Sequence, residues 1–194
     1  MDRAAVFLDR DGTINEDVGY LADPNLFRLL PGAAEGIKLL KRAGFKVIVV
    51  SNQSGVARGL FSEEVVRKID KKMQDELLNR GTFLDAIYFC PHHPDIGEPP
   101  YRQDCCCRKP KPGLLLKAAK IHRINLAHSY MVGDELSDID AGRRAGCRTI
   151  LLLRNVTQNS PGEANKLAGK TKPDYIASNL YTAAQLVYKQ RDAK

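Results

Sequence analysis

Short apolar runs rich in β-branched residues recur along the chain, at Ala4 to Leu8, Phe45 to Val50, Ala86 to Phe89, Tyr130 to Val132, Thr149 to Leu153 and Tyr175 to Ala177. Runs that are apolar at successive positions, not at alternate ones, suit strands covered on both faces. Between them the apolar positions take up helical spacing. The clearest case follows Ser62, an N-cap with Phe61 and Val66 placed as a hydrophobic staple. It carries Val66, Ile69, Met73 and Leu77 on one face and stops at Gly81. Helices are also predicted from Gly32 to Ala43, from Leu136 to Ala145, and from Pro112 through His122. The alternation predicts an α/β fold, a central and mostly parallel sheet with helices on both faces.

Two stretches break the pattern. Asn15 to Leu30 and Pro91 to Lys111 are longer than ordinary connections, and connections of that length commonly serve a site. Both are expected to cover it. No repeat or low-complexity linker divides the 194 residues, so a single domain over 1–194 is expected.

In an open α/β sheet ligands bind beyond the carboxyl ends of the strands, which makes the polar residues ending each run the ones to inspect. The first run ends in Asp9-Arg10-Asp11-Gly12-Thr13, the second in Ser51-Asn52-Gln53-Ser54-Gly55, and the fourth in Gly133-Asp134-Glu135. One such Asp would be an ordinary turn residue or helix cap. Carboxylates gathered at one sheet edge repel each other unless a cation sits among them, and magnesium takes oxygen ligands of this kind. Given that ion, Asp9 suits a carboxylate nucleophile towards phosphorus, and Gly12 allows a turn that returns Asp11 as general acid and base. Ser51 and the backbone N–H groups of the following loop are candidate phosphoryl donors. Lys109, ahead of a proline-started helix, is the candidate cation for the charge spread over the phosphoryl oxygens.

This order of motifs, Asp-x-Asp-Gly-Thr, Ser-Asn, Lys-Pro and Gly-Asp, resembles the haloacid dehalogenase (HAD) superfamily of phosphohydrolases. The resemblance implies a Rossmann-like HAD fold, with no large cap domain in a chain of this length. It implies Asp9 as nucleophile, Asp11 as acid and base, and Ser51 and Lys109 as phosphoryl stabilisers. Asp9, the Asp11 carbonyl and Asp134 are the implied magnesium ligands, and Asp138 is a second acidic candidate that orients its neighbours.

Of five cysteines, Cys90, Cys105, Cys106 and Cys107 lie close together, whereas Cys147 stands apart as a small buried residue. Cys90-Pro91-His92 and Cys105-Cys106-Cys107 offer enough ligands for a closed, structural zinc site. Spacing alone does not choose among His92, His93 and the three cysteines. A ligand-x-ligand pattern on both sides selects Cys90, His92, Cys105 and Cys107, with Cys106 turned away and Arg108 and Lys109 held by the loop, about 90–109. Unligated reduced thiols are the alternative.

A narrower resemblance rests on Phe7 to Asn15, Ser51 to Gly59, Cys90-Pro91-His92-His93-Pro94 and Cys105 to Pro110. These segments are similar to the D-glycero-D-manno-heptose 1,7-bisphosphate 7-phosphatases. That family implies a sugar bisphosphate substrate on the way to surface polysaccharide, magnesium catalysis and a structural zinc. Its substrate-recognition positions fall on Asp17, Val18, Gly19, Tyr20, Ser51, Asn52, Gln53, Ser54, Arg108 and Lys109. Arg108 is the candidate grip for the phosphate that is not cleaved, with Arg58 a weaker one. Histidinol-phosphate phosphatase is the nearest alternative, and a non-enzymatic zinc- and anion-binding module is the alternative of another class.

The net charge of +7 comes from basic helical faces such as Arg67, Lys68, Lys71 and Lys72, and also favours an anionic substrate. Without an Arg/Lys block or an aromatic platform, no nucleic-acid partner is expected. No apolar run is long enough to span a bilayer and no signal-peptide core precedes Asp9, so no membrane partner and a cytoplasmic location are expected. The expected state is a monomer.

Overall fold

The computed structural model describes residues 3–153 and 172–192. Its sheet has six strands, β1 Ala5–Leu8, β2 Lys46–Asn52, β3 Ala86–Cys90, β4 Tyr130–Gly133, β5 Arg148–Leu152 and β6 Tyr175–Ala177. Their order is β3-β2-β1-β4-β5-β6, and every neighbouring pair is parallel. The order reverses at β1, so the polar residues after β1, β2 and β4 gather at one switch point.

Among the described residues five helices cover the sheet, α1 Ala33–Arg42, α2 Glu63–Asn79, α3 Gly113–His122, α4 Leu136–Ala145 and α5 Leu180–Asp192. Alternation along β1 divides the core in two. Val6 and Leu8 pack with Ile37 and Leu40 of α1, Ile69 and Met73 of α2 and Ala184 of α5. Ala5 and Phe7 face the other way, towards Leu115 and Ala118 of α3 and Ala141 of α4. Burying each such side chain is worth about 1.5–3 kcal/mol, and the two layers together fix the height of the strand ends.

The predicted elements are present with ends displaced by a residue or two. Ser62 caps α2 by accepting from the Val65 N–H at 3.4 Å, and Pro112 stands at the cap of α3, which begins at Gly113. The sequence reading placed no helix after the sixth run, yet α5 follows it. Asn179 caps that helix by accepting from the Thr182 N–H at 2.9 Å, and Leu180, Ala183, Ala184 and Val187 form its buried stripe. Gly36 of α1 lets the two helices meet closely, since a Cβ there would press on the Leu180 backbone.

No helix of the described residues is long and apolar enough to cross a membrane. Met1 and Asp2, which entered the reading of the N-terminus, lie outside the described residues.

Candidate active site

β1 delivers Asp9 at its carboxyl end, where the Asp9 N–H still donates to the Val132 carbonyl of β4 at 3.0 Å. The chain then turns sharply. The N–H groups of Ile14 and Asn15 both donate to the Arg10 carbonyl, at 2.8 and 3.2 Å, and Gly12 takes a φ of 76°. A side chain at Gly12 would collide with the Asp134 carboxylate, so this glycine is required by space as well as by conformation. Thr13 steadies Asp134 by donating to Oδ1 at 3.2 Å.

Lys109 Nζ lies 2.8 Å from Asp9 Oδ1 and 2.6 Å from Asp138 Oδ1. All of its length is buried, and Asn52 clamps its backbone from β2. Asn52 Oδ1 accepts from the Lys109 N–H at 3.0 Å while Nδ2 donates to the Lys109 carbonyl at 3.1 Å. Burial pulls the pKa of the ammonium down, but the carboxylates of Asp138 and Asp9 outweigh it and hold the pKa above the usual lysine range. Burial pushes Asp9 above the ordinary carboxylate range, with the neighbouring ammonium working against it.

Asp134 is half-buried beside Asp9, and burial followed by repulsion from Asp9 pushes it up to about 6. Asp9, Asp134 and Asp138 each present an oxygen within 4.8 Å of the others. Asp138 is already occupied, by Lys109 and by the Glu135 N–H at 3.1 Å, which leaves Asp9 and Asp134 as the pair whose repulsion a cation would relieve. An oxygen-only donor set at an open edge fits magnesium. Ser51 Oγ, in a residue 1% exposed, has no hydrogen-bond partner among the described residues. A buried hydroxyl of that kind is costly unless something else satisfies it.

Asp11 does not share the cation pair. Its Oδ1 accepts from Arg10 Nε at 3.3 Å and Asn15 Nδ2 at 2.8 Å, and its Oδ2 from Arg10 Nη2 at 2.9 Å and Gln53 Nε2 at 2.9 Å. Burial opposes its charge, yet Arg10 and the donors from Asn15 and Gln53 hold it below the usual range.

The cleft above these groups has a volume of about 290 Å³. Both long connections supply its walls, Asp17, Gly19 and Tyr20 from one and Arg108 and Lys109 from the other, with Asn52, Ser54 and Glu135 completing the rim. Of the predicted recognition positions, Val18, Ser51 and Gln53 do not line it. Val18 points to solvent, Ser51 lies beneath, and the Gln53 amide is engaged by Asp11. Arg58 lies over the Tyr20 ring, 5.7 Å from its centroid, and is not part of the lining.

Cys90, His92, Cys105 and Cys107 converge as one group. Cys107 Sγ is 3.2 Å from Cys90 Sγ and 3.1 Å from Cys105 Sγ, and Cys90 Sγ is 3.5 Å from Cys105 Sγ. His92 Nδ1 stands 3.3 Å from Cys107 Sγ and 3.6 Å from Cys90 Sγ. Zinc–sulfur bonds of about 2.3 Å in a tetrahedron give sulfur–sulfur edges of about 3.8 Å, a few tenths of an ångström longer than these separations, so the donor set fits zinc once the sulfurs spread slightly around the ion. His93 is turned into its own loop, accepting from the N–H groups of Asp95 and Ile96, and Cys106 is exposed. Arg108 Nη1 donates to the His92 carbonyl at 3.2 Å, tying the cleft wall to this cluster.

Arg10, Asn15, Thr13 and Asp70 belong to the site's framework and were not singled out from the sequence. Asp70 had a readable signal, a carboxylate on the apolar stripe of α2 next to Ile69 and Met73.

The HAD-hydrolase-like family matches residues 106–183. The chain is 42% identical, over 96% of its own length and 95% of the other's, to the D-glycero-beta-D-manno-heptose-1,7-bisphosphate 7-phosphatase of Escherichia coli (strain K12). It is 46% identical, over 77% of its length and 80% of the other's, to the enzyme of the same name from Photorhabdus laumondii. The crystal structure of D,D-heptose 1,7-bisphosphate phosphatase from B. bronchiseptica, complexed with magnesium and phosphate, superposes with a TM-score of 0.81 at 33% identity, covering 96% of this chain and 99% of that one.

Proposed function

The chain belongs to the D-glycero-beta-D-manno-heptose-1,7-bisphosphate 7-phosphatase family of HAD-like hydrolases, and from that membership we infer that it hydrolyses the 7-phosphate of this sugar bisphosphate, the β anomer, with magnesium. The observation that most supports the reading is the meeting of Asp9, Asp134 and Lys109 beneath a cleft walled by Arg108.

Asp9 Oδ attacks phosphorus, forming a P–O bond to the carboxylate as the bond to the sugar oxygen breaks. For this step Asp11 must take up a proton against the donors from Arg10, Asn15 and Gln53 that favour its carboxylate. It gives that proton to the departing oxygen, so the product leaves as an alcohol. Asp11, now a carboxylate, next takes a proton from water as that water attacks phosphorus. The P–O bond to Asp9 then breaks, inorganic phosphate is released and both side chains return to their starting states. Lys109 donates to the phosphoryl oxygens throughout, at a position set by the Asn52 clamp. Ser51, outside the cleft lining, is assigned as a second donor only by its buried hydroxyl at the end of β2, unpartnered among the described residues, which the phosphoryl group must reach down to meet. Asp9, Asp134 and the Asp11 carbonyl would hold magnesium, which offsets the charge developing on the phosphoryl group. Cys90, His92, Cys105 and Cys107 would hold a structural zinc whose service to the reaction is to fix Arg108 and Lys109. Arg108 grips the phosphate that stays.

Histidinol phosphate is disfavoured as substrate by the names of the relatives. We read the chain as a single-domain monomer without a nucleic-acid partner. Three clustered cysteines read as zinc ligands and not as disulfide partners suit a reducing, cytoplasmic compartment.

The test is hydrolysis of both anomers of the heptose bisphosphate and of histidinol phosphate, with and without magnesium. The β bisphosphate should be preferred by kcat/KM and should require the ion. Faster turnover of histidinol phosphate would overturn the substrate, hydrolysis surviving Asp9→Asn without magnesium would overturn the mechanism, and no hydrolysis of any of these phosphates would leave a binding module.

A further inference from the structure

Arg10 is the bulkiest of the fully buried side chains among the described residues and does not line the cleft. Its guanidinium is instead held between two carboxylates. Nε and Nη2 grip the two oxygens of Asp11, and Nη1 reaches Asp70 Oδ1 on α2 at 3.2 Å. Asp70 is itself buried, whereas Asp75 and Glu76 of the same helix form i,i+4 pairs with Lys71 and Lys72 towards solvent. Burying an arginine and its partner under the site is expensive compared with apolar residues of the same size, so the fold alone gives no reason for the arrangement.

Its geometry supplies one. A carboxylate that must first give and then take a proton has to keep one oxygen aimed at the reacting centre, and a misplacement of about an ångström costs such a step heavily. A planar fork bound to both oxygens fixes the plane of the Asp11 carboxylate, which a lysine at the same place would not do. The fork fixes that plane only if it cannot itself rotate. Asp70 stops the rotation by holding the third nitrogen from a helix packed in the core.

We propose that Asp70 and Arg10 are a buried positioning pair for Asp11, so that a residue on α2, away from the cleft, governs proton transfer to the leaving oxygen. The proposal rests on the reading of Asp11 as general acid.

The test compares kcat/KM for the heptose bisphosphate with kcat/KM for p-nitrophenyl phosphate, measured on one preparation of Asp70→Asn. The sugar leaves as an alkoxide unless it is protonated, whereas p-nitrophenolate leaves well without help. Both values report the steps up to formation of the phosphorylated Asp9, and their ratio cancels any loss of folded protein. The ratio should fall about tenfold or more, a part of the usual contribution of general acid catalysis. Asp11→Asn should lower it at least as far, and adding Asp70→Asn to that variant should lower it no further. A ratio within about threefold of wild type in Asp70→Asn overturns the proposal, given the size expected for the effect. If Asp70→Asn does not fold, Arg10→Lys keeps the charge and loses the fork, and the same fall is expected and the same constancy overturns. Should Asp11→Asn itself leave the ratio intact, the acid assignment fails and this inference falls with it. If only Asp70→Asn leaves it intact, this inference alone is removed.

Discussion

Lys109 Nζ lies 2.6 Å from Asp138 Oδ1, an ion pair with no exposure on the aspartate side. Asp138 is fixed from two directions. Its Oδ2 accepts from the Glu135 N–H in the capping box of α4, and Gly133 leaves the room its carboxylate occupies. It therefore serves Lys109 and not the cation. Asp138→Asn keeps the shape and removes the charge, so the ammonium is drawn towards Asp9 and blunts it as the proposed nucleophile. The expected loss in kcat is on the order of 100-fold, as for other preorganised electrostatic groups, with little change in KM. Breaking one side of a buried pair should also cost about 3 kcal/mol, visible in thermal unfolding.

Zinc removal should abolish activity in a way that magnesium does not repair. Arg108 and Lys109 follow Cys107 directly, and Arg108 is tied to the His92 carbonyl. A chelator strong enough to strip zinc should lower the melting temperature and silence the enzyme, and only zinc followed by magnesium should restore it. Cys107→Ser should mimic the chelator, whereas Cys106→Ser, at an exposed position, should retain its zinc by elemental analysis and its activity.

Asp134 sets a pH limit on magnesium. Burial and Asp9 raise it from 3.8 to about 6, so without metal it is neutral below that pH. Magnesium must displace its proton there, and the apparent affinity should weaken by up to about tenfold per pH unit as pH falls below 6. The stability linkage has the opposite sign to a salt-bridged aspartate. The folded state binds more protons than the unfolded one between 3.8 and about 6, so metal-free stability contributed by Asp134 is present below pH 4 and lost as pH rises through 6. Asp134→Asn should therefore gain in metal-free stability relative to wild type between pH 4 and pH 7, measured by denaturant unfolding at each pH.

Much of this arrangement is legible along the chain because strand ends in a parallel sheet converge. Asp9, Asn52 and Asp134 each stand at or next to the end of an apolar run, and the reversal of strand order at β1 brings them together. The ligand-x-ligand spacing likewise singles out the four residues that converge around Cys107. Helix α5 escaped the reading because its apolar stripe is alanine-rich and only its packing on α1 reveals it. Arg10 and Asp70 escaped for a different reason. They are sixty positions apart, and nothing short of the fold says that the charge on the buried stripe of α2 answers the arginine inside the Asp-x-Asp turn. The division of labour between Asn52, which holds the Lys109 backbone, and Gln53, which holds Asp11, is invisible in a sequence that shows only adjacent amides.

Arg108 offers the sharpest test of why a bisphosphate is preferred. It is the arginine in the cleft wall, facing a rim that also carries Asp17 and Glu135, so a second phosphate entering there meets net repulsion unless the guanidinium receives it. On the proposed reading the grip acts on a group that does not react, and such binding is equal in ground and transition states. Arg108→Ala should therefore raise KM for the heptose bisphosphate by roughly 10- to 100-fold, the worth of a charge-assisted hydrogen bond of about 1.5–3 kcal/mol, while kcat changes little. KM for a heptose 7-monophosphate should hardly move. Arg108→Lys restores charge without the planar fork and should recover part of the loss. Equal effects on the two substrates would mean that Arg108 contacts the phosphate being cleaved, and the discrimination would then have to come from elsewhere on the rim.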